Sequence, residues 1–251
     1  MGHIISTSKM LSTIFTKLVN SLKQDLFESW CCLCNEKHHN RIPFCSACLN
    51  DLPWTPDPAA LADALEVLPD NAVTTLFDYQ FPVNTMLRQF KYQGQMQWGE
   101  NLCALVKHRA GACFPDHFAD LDIIIPAPLS RKRLGMRGFN QSEVIAKAVS
   151  GLLDIPVGYG CCLKIKDTTA QAELDRAGRQ SNLVNAFKIT NRGKAMIAGR
   201  HLLVVDDVTT TGTTLKTLKD LLMDSGARQV SGFCLAHTPP PLEKNRITSL
   251  P

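Results

Sequence analysis

The segment LLVVDDVTTTGTTL, residues 202–215, constrains this chain most. Successive side chains of a strand point to opposite faces, so four consecutive apolar residues demand cover on both faces. That calls for a central parallel strand with helices on either side. Two aspartates follow, then threonines around Gly212, and a helical pattern starts near Thr213 and runs to Ser225. Residues 206–213 are therefore expected as a loop outside the carboxyl end of the strand, where open α/β sheets bind ligands. Threonine hydroxyls, Gly212 and the free N–H groups of a helix start suit a phosphate. Adjacent aspartates suit sugar hydroxyls or a Mg²⁺-bound ligand, which together outline a ribose 5-phosphate. An ordinary strand-to-helix turn with an acidic residue at the helix start explains one aspartate, but not two followed by TTTGTT.

The flanking sequence agrees with an α/β architecture. Strand-like segments at 72–79, 122–128, 158–166 and 229–236 alternate with helical patterns at 82–94, 98–110 and 140–152. At 251 residues the chain can bury one substantial core and carry a small module besides. A net charge of +4 is too mild to argue for nucleic acid unless the charge is clustered. No run of 18 apolar residues predicts a transmembrane span, and the N-terminus does not read as a signal peptide. The expected compartment is the cytoplasm. Its reducing conditions make paired thiols among the ten cysteines metal ligands rather than disulfides.

CCLCNEKHHNRIPFCSACLNDLPW carries two CxxC pairs, Cys31 with Cys34 and Cys45 with Cys48. This spacing reads as a four-thiolate structural zinc site holding one ion. Cys32, His38 and His39 are alternative ligands, and free thiols or a redox pair remain open. The absence of a βα pattern around either pair counts against a thioredoxin-like motif. Cys103, Cys113, Cys161, Cys162 and Cys234 sit in apolar contexts as core thiols. Before the module, residues 10–27 have helical apolar spacing, for packing on the body or for a partner or membrane surface. The expected organisation is a tail and helix over 1–30, the cysteine module over 31–57, and a proline-rich linker over 58–71. The main domain follows over 72–238, with a C-terminal tail over 239–251.

A second constellation is IPAPLSRKRLGMRGFNQSEVIAKAV, in which Arg131, Lys132, Arg133 and Arg137 cluster after a buried strand. As a loop it can hold a diphosphate or a nucleic acid backbone, or it can simply be solvated. Asn140 precedes a helical pattern, with Glu143 three residues on, as in a partial capping box. KIKDTTAQAELDRAGRQSNLVNAF, residues 164–187, is long, polar and aperiodic, as lids beside ligand sites often are. Lys91 in FKYQGQ either faces the site or is solvated on a helix surface.

The run LLVVDDVTTTGTT resembles the phosphoribosyl diphosphate (PRPP) motif of type I phosphoribosyltransferases. RGFNQS, and the cysteine pairs followed by DLPW, resemble the ComF family of competence-associated proteins. The resemblance implies a type I phosphoribosyltransferase-like parallel-sheet domain preceded by a small four-cysteine zinc module. It implies that Asp206 and Asp207 hold the ribose hydroxyls as the catalytic pair, and that Thr210, Thr211, Gly212, Thr213 and Thr214 wrap the 5′-phosphate. Arg131, Arg133, Arg137 and Arg179 become contacts for diphosphate or nucleic acid, with Mg²⁺ accompanying PRPP. Thr169, Gln171, Asn182, Ala186 and Phe187 look like the family's pattern around Arg179, whereas Lys164 or Lys166 stands where the family usually has arginine. Some phosphoribosyltransferases have an acidic base two residues before the motif glycine; here that position is Thr210. The implied role is DNA uptake in natural transformation, with single-stranded DNA and a competence helicase or recombination mediator as partners. Three activities fit: pentosyl transfer from PRPP, non-catalytic binding of single-stranded DNA, and sensing of PRPP.

Overall fold

The apolar run at 202–205 lies in a strand with a parallel neighbour on each side. The computed structural model describes residues 29–56, 73–92, 95–109, 120–166 and 185–238, together with 111, 114 and 118. The helix expected over 10–27, the linker, the C-terminal tail and most of the polar stretch 164–187 lie outside those residues. The chain divides into two units between Leu52 and Pro53.

In the first unit, β1 (Ser29–Trp30) pairs antiparallel with β2 (Lys37–His38). Helix α1 (Ser46–Asn50) follows, with Cys45 as its N-cap. Among the described residues the buried apolar side chains here are Cys31, Phe44 and Leu52. So small a core rarely holds a fold without a staple.

In the second unit, β3 (Val73–Asp78), β4 (Ile123–Pro126), β7 (His201–Thr209) and β8 (Gln229–His237) form one sheet in the order β3-β8-β7-β4, all parallel. Each edge strand is covered in part by a single pairing. Trp54 lies antiparallel to Phe77, and Val157 lies parallel to Ile124. Such cover shields part of the edge backbone that otherwise invites aggregation. A separate antiparallel ribbon pairs β5 (Cys162–Lys164) with β6 (Phe187–Ile189). The strand expected over 158–166 is thus shorter and belongs to this ribbon, because its partner is Phe187–Ile189 and not the main sheet.

Helices cover both faces, as the apolar strands require. Helix α2 (Val83–Phe90) buries Val83, Met86, Leu87 and Phe90, an i, i+3, i+4, i+7 stripe. It packs on α3 (Met96–His108), which in turn meets α5 (Gln141–Leu153). Gly99 permits the first contact, since a Cβ there would come within 2.2 Å of the Phe90 ring. On the other face α7 (Thr213–Asp224) sends Leu215, Leu218 and Leu222 into a cluster with Leu202, Val204 and Cys234. The basic segment at 131–137 is a helix, α4 (Arg131–Arg137), and not the expected loop. Ser130 caps its start by accepting from Arg133 N, and Gly138, at φ 79°, ends it in the left-handed region. Thr190 caps the short α6 (Asn191–Ile197) in the same way as Ser130.

At the amino end of β7 the fully buried His201 bonds Asp120 Oδ1 through Nδ1 at 2.7 Å and Ser231 Oγ through Nε2 at 2.9 Å. Ser231 is itself buried in β8, so this trio ties strands together rather than presenting a nucleophile. His201→Leu orphans the Ser231 hydroxyl and is expected to cost about 1–3 kcal/mol. Adding Ser231→Ala, which removes the orphan, should recover much of that loss. Thermal or denaturant unfolding of the two variants checks the ordering.

Candidate functional site

The carboxyl ends of the four parallel strands open into a cleft of about 550 Å³. Its wall includes Tyr79 beyond β3, Thr238 beyond β8, Ala127 beyond β4, and Asp206, Asp207 and Thr210 from β7 and the turn after it. This is the crevice expected of an open α/β sheet.

β7 runs through Asp206 and Asp207 to Thr209, paired with β8 as far as His237. The acidic pair is therefore the end of the strand itself and not part of the loop. The ladder fixes both backbones, and each carboxylate takes a hydrogen bond from the next residue. Asp206 Oδ1 accepts from Asp207 N at 2.9 Å, and Asp207 Oδ1 accepts from Val208 N at 2.8 Å. Lys91 Nζ lies 3.1 Å from Asp207 Oδ2, which settles in favour of the site where that lysine points. The turn that follows needs Gly212 at φ 69°, a backbone region that favours glycine, and α7 begins at Thr213. Thr211 Oγ1 and Thr213 Oγ1 meet at 2.6 Å across the turn.

RGFNQS supplies the support. Asn140 caps α5 by accepting from Ser142 N at 3.1 Å, while its amide donates to Ala127 O at 3.0 Å. One side chain thus joins the end of β4 to the start of α5. Ser142 Oγ then donates to Asp206 Oδ1 at 3.0 Å, and Arg137 donates to Gln141 Oε1 at 2.9 Å. The roles of Gln141 and Ser142 are invisible in sequence, where only the cap at Asn140 gives a signal.

Of the residues singled out, Asp206, Asp207, Thr210, Thr214, Arg133 and Arg137 line the cleft. Thr211, Gly212 and Thr213 build the turn beside it. Arg131 is exposed on α4 and is not part of the wall. Lys164 and Phe187, from the β5–β6 ribbon, also line it, with Lys164 Nζ 5.4 Å from the Phe187 ring centre. Arg179, Thr169, Gln171 and Asn182 lie outside the described residues.

In the first unit the Sγ atoms of Cys31, Cys34, Cys45 and Cys48 all lie within 4.8 Å of one another, and such a cluster can hold a metal ion. A turn with Asn35 at φ 62° folds the first pair, with Asn35 N donating to Cys31 O. The N-cap at Cys45 brings its sulfur within 3.4 Å of Cys48 N. Cys32, His38 and His39 are not in the cluster. Burial pushes the Cys32 thiol up to about 12, and His38 is buried with Nδ1 accepting from Asn40 N. Cys103, Cys161, Cys162 and Cys234 are buried, in line with core thiols.

The turn after β7 falls within the stretch where a protein-family model matches. The model described as Phosphoribosyl transferase domain covers residues 140–248, from the cap of α5 through β7, α7 and β8. The second unit is thus a phosphoribosyltransferase-like domain. Competence protein F of Haemophilus influenzae is 30% identical over 202 residues, covering 80% of this chain and 87% of that protein. DNA utilization protein YhgH of Escherichia coli K12 is 28% identical over 216 residues, 83% of this chain and 90% of that protein. The chain belongs to the ComF family of competence proteins. Among solved structures, the glutamine phosphoribosylpyrophosphate amidotransferase of Bacillus subtilis aligns with a TM-score of 0.39 at 16% identity, over 59% of this chain and 30% of that one. No helix among the described residues is long and apolar enough to cross a membrane.

The cleft holds its charge at a cost. Burial, and then the Asp207 charge, pushes the Asp206 carboxyl up from 3.8 to about 7. An acid raised in the folded state binds more protons there than in the unfolded chain between those values. Stability is therefore undiminished below about pH 4, falls as pH rises, and bears the full loss above about pH 7. Asp206→Asn keeps an oxygen for both donors to Oδ1 while removing the charge. It is expected to exceed wild type by roughly 2–4 kcal/mol at pH 8, with the gain shrinking toward pH 5. Unfolding free energies measured across that range check it, and a gain independent of pH would contradict it.

Proposed function

We propose that the cleft binds PRPP, or a closely related phosphoribosyl ligand, together with Mg²⁺, and that it does so in the service of DNA uptake. The observation that carries this reading is the meeting of Asp206, Asp207 and the threonine turn with Arg133 and Arg137 in one cleft. Carboxylates bind vicinal ribose hydroxyls, the turn at the α7 start takes the 5′-phosphate, and the guanidiniums take the diphosphate. The paired carboxylates offer the hard oxygen ligands that Mg²⁺ takes. When bound, Mg²⁺ would supply charge neutralisation to the diphosphate.

As a transferase, the site would let a nitrogen nucleophile attack C1 of the ribose. The bond from C1 to the diphosphate oxygen breaks, a C1–N bond forms, and diphosphate leaves with the electron pair. Orientation by Asp206 and Asp207, and charge placed ahead of need by Arg133 and Arg137, are the contributions this chain makes. Thr210 stands where some relatives by motif have an acidic base, so the nucleophile's proton has to leave by another route. Ligand binding does not depend on that step, and a sensor of PRPP would use the same contacts. A second reading, binding of single-stranded DNA, draws on α4, where no residue is buried and Arg131 and Lys132 are exposed.

The four cysteines we assign to one structural zinc ion. A tetrahedron with Zn–S bonds of about 2.3 Å has sulfurs about 3.8 Å apart. Cys34 and Cys45 are already at 3.6 Å. Closed tetrahedral thiolate sites contribute folding energy, which this small core needs. Elemental analysis should find one zinc per chain, lost in Cys45→Ser together with the structure of residues 29–52.

The test of the ligand is a thermal melt of the zinc-loaded protein in Mg²⁺, with and without PRPP. At 100 times its dissociation constant a ligand stabilises by about 2.7 kcal/mol, which here means roughly 5–10 °C. The shift is expected in wild type and absent in the double variant Asp206→Asn/Asp207→Asn. No shift at millimolar PRPP would remove the transferase and sensor readings together and leave the DNA reading, which a steep salt dependence of oligonucleotide binding supports.

A further inference from the structure

We propose that Lys91 is a built-in counter-ion that keeps bare divalent cations off the acidic pair, so that metal enters the cleft only with its anionic ligand. The inference rests on the PRPP reading and assigns a selectivity role to a residue that reading does not use.

Lys91 stands at the C-cap of α2, where its backbone N–H donates to Arg88 O and Gln89 O. From this fixed base its Nζ reaches Asp207 Oδ2 at 3.1 Å, with the two side chains 29% and 17% exposed. Three of the pair's four carboxylate oxygens therefore already accept. Asp206 Oδ1 takes Asp207 N and Ser142 Oγ, Asp207 Oδ1 takes Val208 N, and Asp207 Oδ2 takes the ammonium. The two backbone donors and Ser142 belong to the ladder and to the α5 cap, and they stay. The ammonium is the one of these donors on a long rotatable stem.

A divalent ion arriving alone must displace that ammonium and then sit beside its positive charge, near the guanidiniums of Arg133 and Arg137. Like charges crowded in a partly buried cleft oppose the exchange. A diphosphate arriving with the ion reverses the balance. Its oxygens give Lys91 a new anionic partner within reach of the same stem, and the ion takes the vacated carboxylate. The lysine thus couples occupancy by metal to occupancy by ligand.

The probe is Mn²⁺ alone, titrated by electron paramagnetic resonance into the full-length, zinc-loaded chain without PRPP. Mn²⁺ prefers oxygen ligands, and the thiolates are already occupied. Lys91→Met is expected to bind Mn²⁺ about three- to tenfold more tightly than wild type, the scale of losing a partly buried ion pair. Lys91→Arg, which keeps the charge, should stay at the wild-type value, and adding Asp207→Asn to Lys91→Met should abolish the gain. With PRPP present, Lys91→Met should need more PRPP for the same melting shift. Lys91→Gln serves the same purpose should the methionine variant not fold. No gain in Mn²⁺ affinity on removing the charge, whether both proteins bind equally or neither binds, overturns the proposal. The Mn²⁺ titration contains no PRPP, so its failure leaves the ligand reading standing. A wild type that never responds to PRPP would instead remove that reading.

Discussion

β7 and β8 are paired from His201 opposite Gln229 to Thr209 opposite His237, and this parallel ladder fixes where everything else can go. It passes through the acidic pair, setting Asp206 opposite Cys234. Carboxyls anchored on a paired strand cannot swing away from a buried position as side chains on a loop can. The burial of Asp206, and with it the nearby Asp207 charge, is therefore held in place by the pairing of the sheet. The raised Asp206 carboxyl is the electrostatic trace of that constraint. A carboxyl held at such a cost to stability is a compromise often found at functional sites.

Four donors make the arrangement tolerable. Ser142 and two backbone N–H groups hold the carboxylates by hydrogen bonds, and Lys91 answers the Asp207 charge directly. Ser142 is in position because Asn140 locks the start of α5 to the end of β4. The support therefore runs from one strand end, through a helix cap, to the next strand end. The small cysteine unit answers a different constraint. Its described apolar core is slight, and four clustered sulfurs lie where its two turns meet.

Much of this could be read directly from the residues. LLVV could only be a strand covered on both faces, and the periodic apolar positions of α2, α5 and α7 mark helices by themselves. The two CxxC pairs announced a cluster because a knuckle is local geometry. Other features were harder. SRKRLGMR carries no apolar face, so it reads as a loop, yet caps at Ser130 and Gly138 make it a helix. The β5–β6 ribbon was missed because Phe187–Ile189 shows no pattern until its partner, more than twenty residues upstream, is known. Lys91 was ambiguous because a lysine at a helix end looks the same whether it faces water or a carboxylate.

By itself the sequence determined the alternation of strands and helices, the acidic pair with its threonine turn, and the thiolate spacing. Each is set by neighbours a few residues apart, through pleat, helical period or turn geometry. The tertiary structure decided that β7 continues through Asp206 and Asp207, that Ser142 and Lys91 reach them, and that His201 is satisfied by Asp120 and Ser231. Those contacts join residues that chain order keeps far apart. Only the packing of helices on a sheet of fixed strand order brings them within hydrogen-bonding distance.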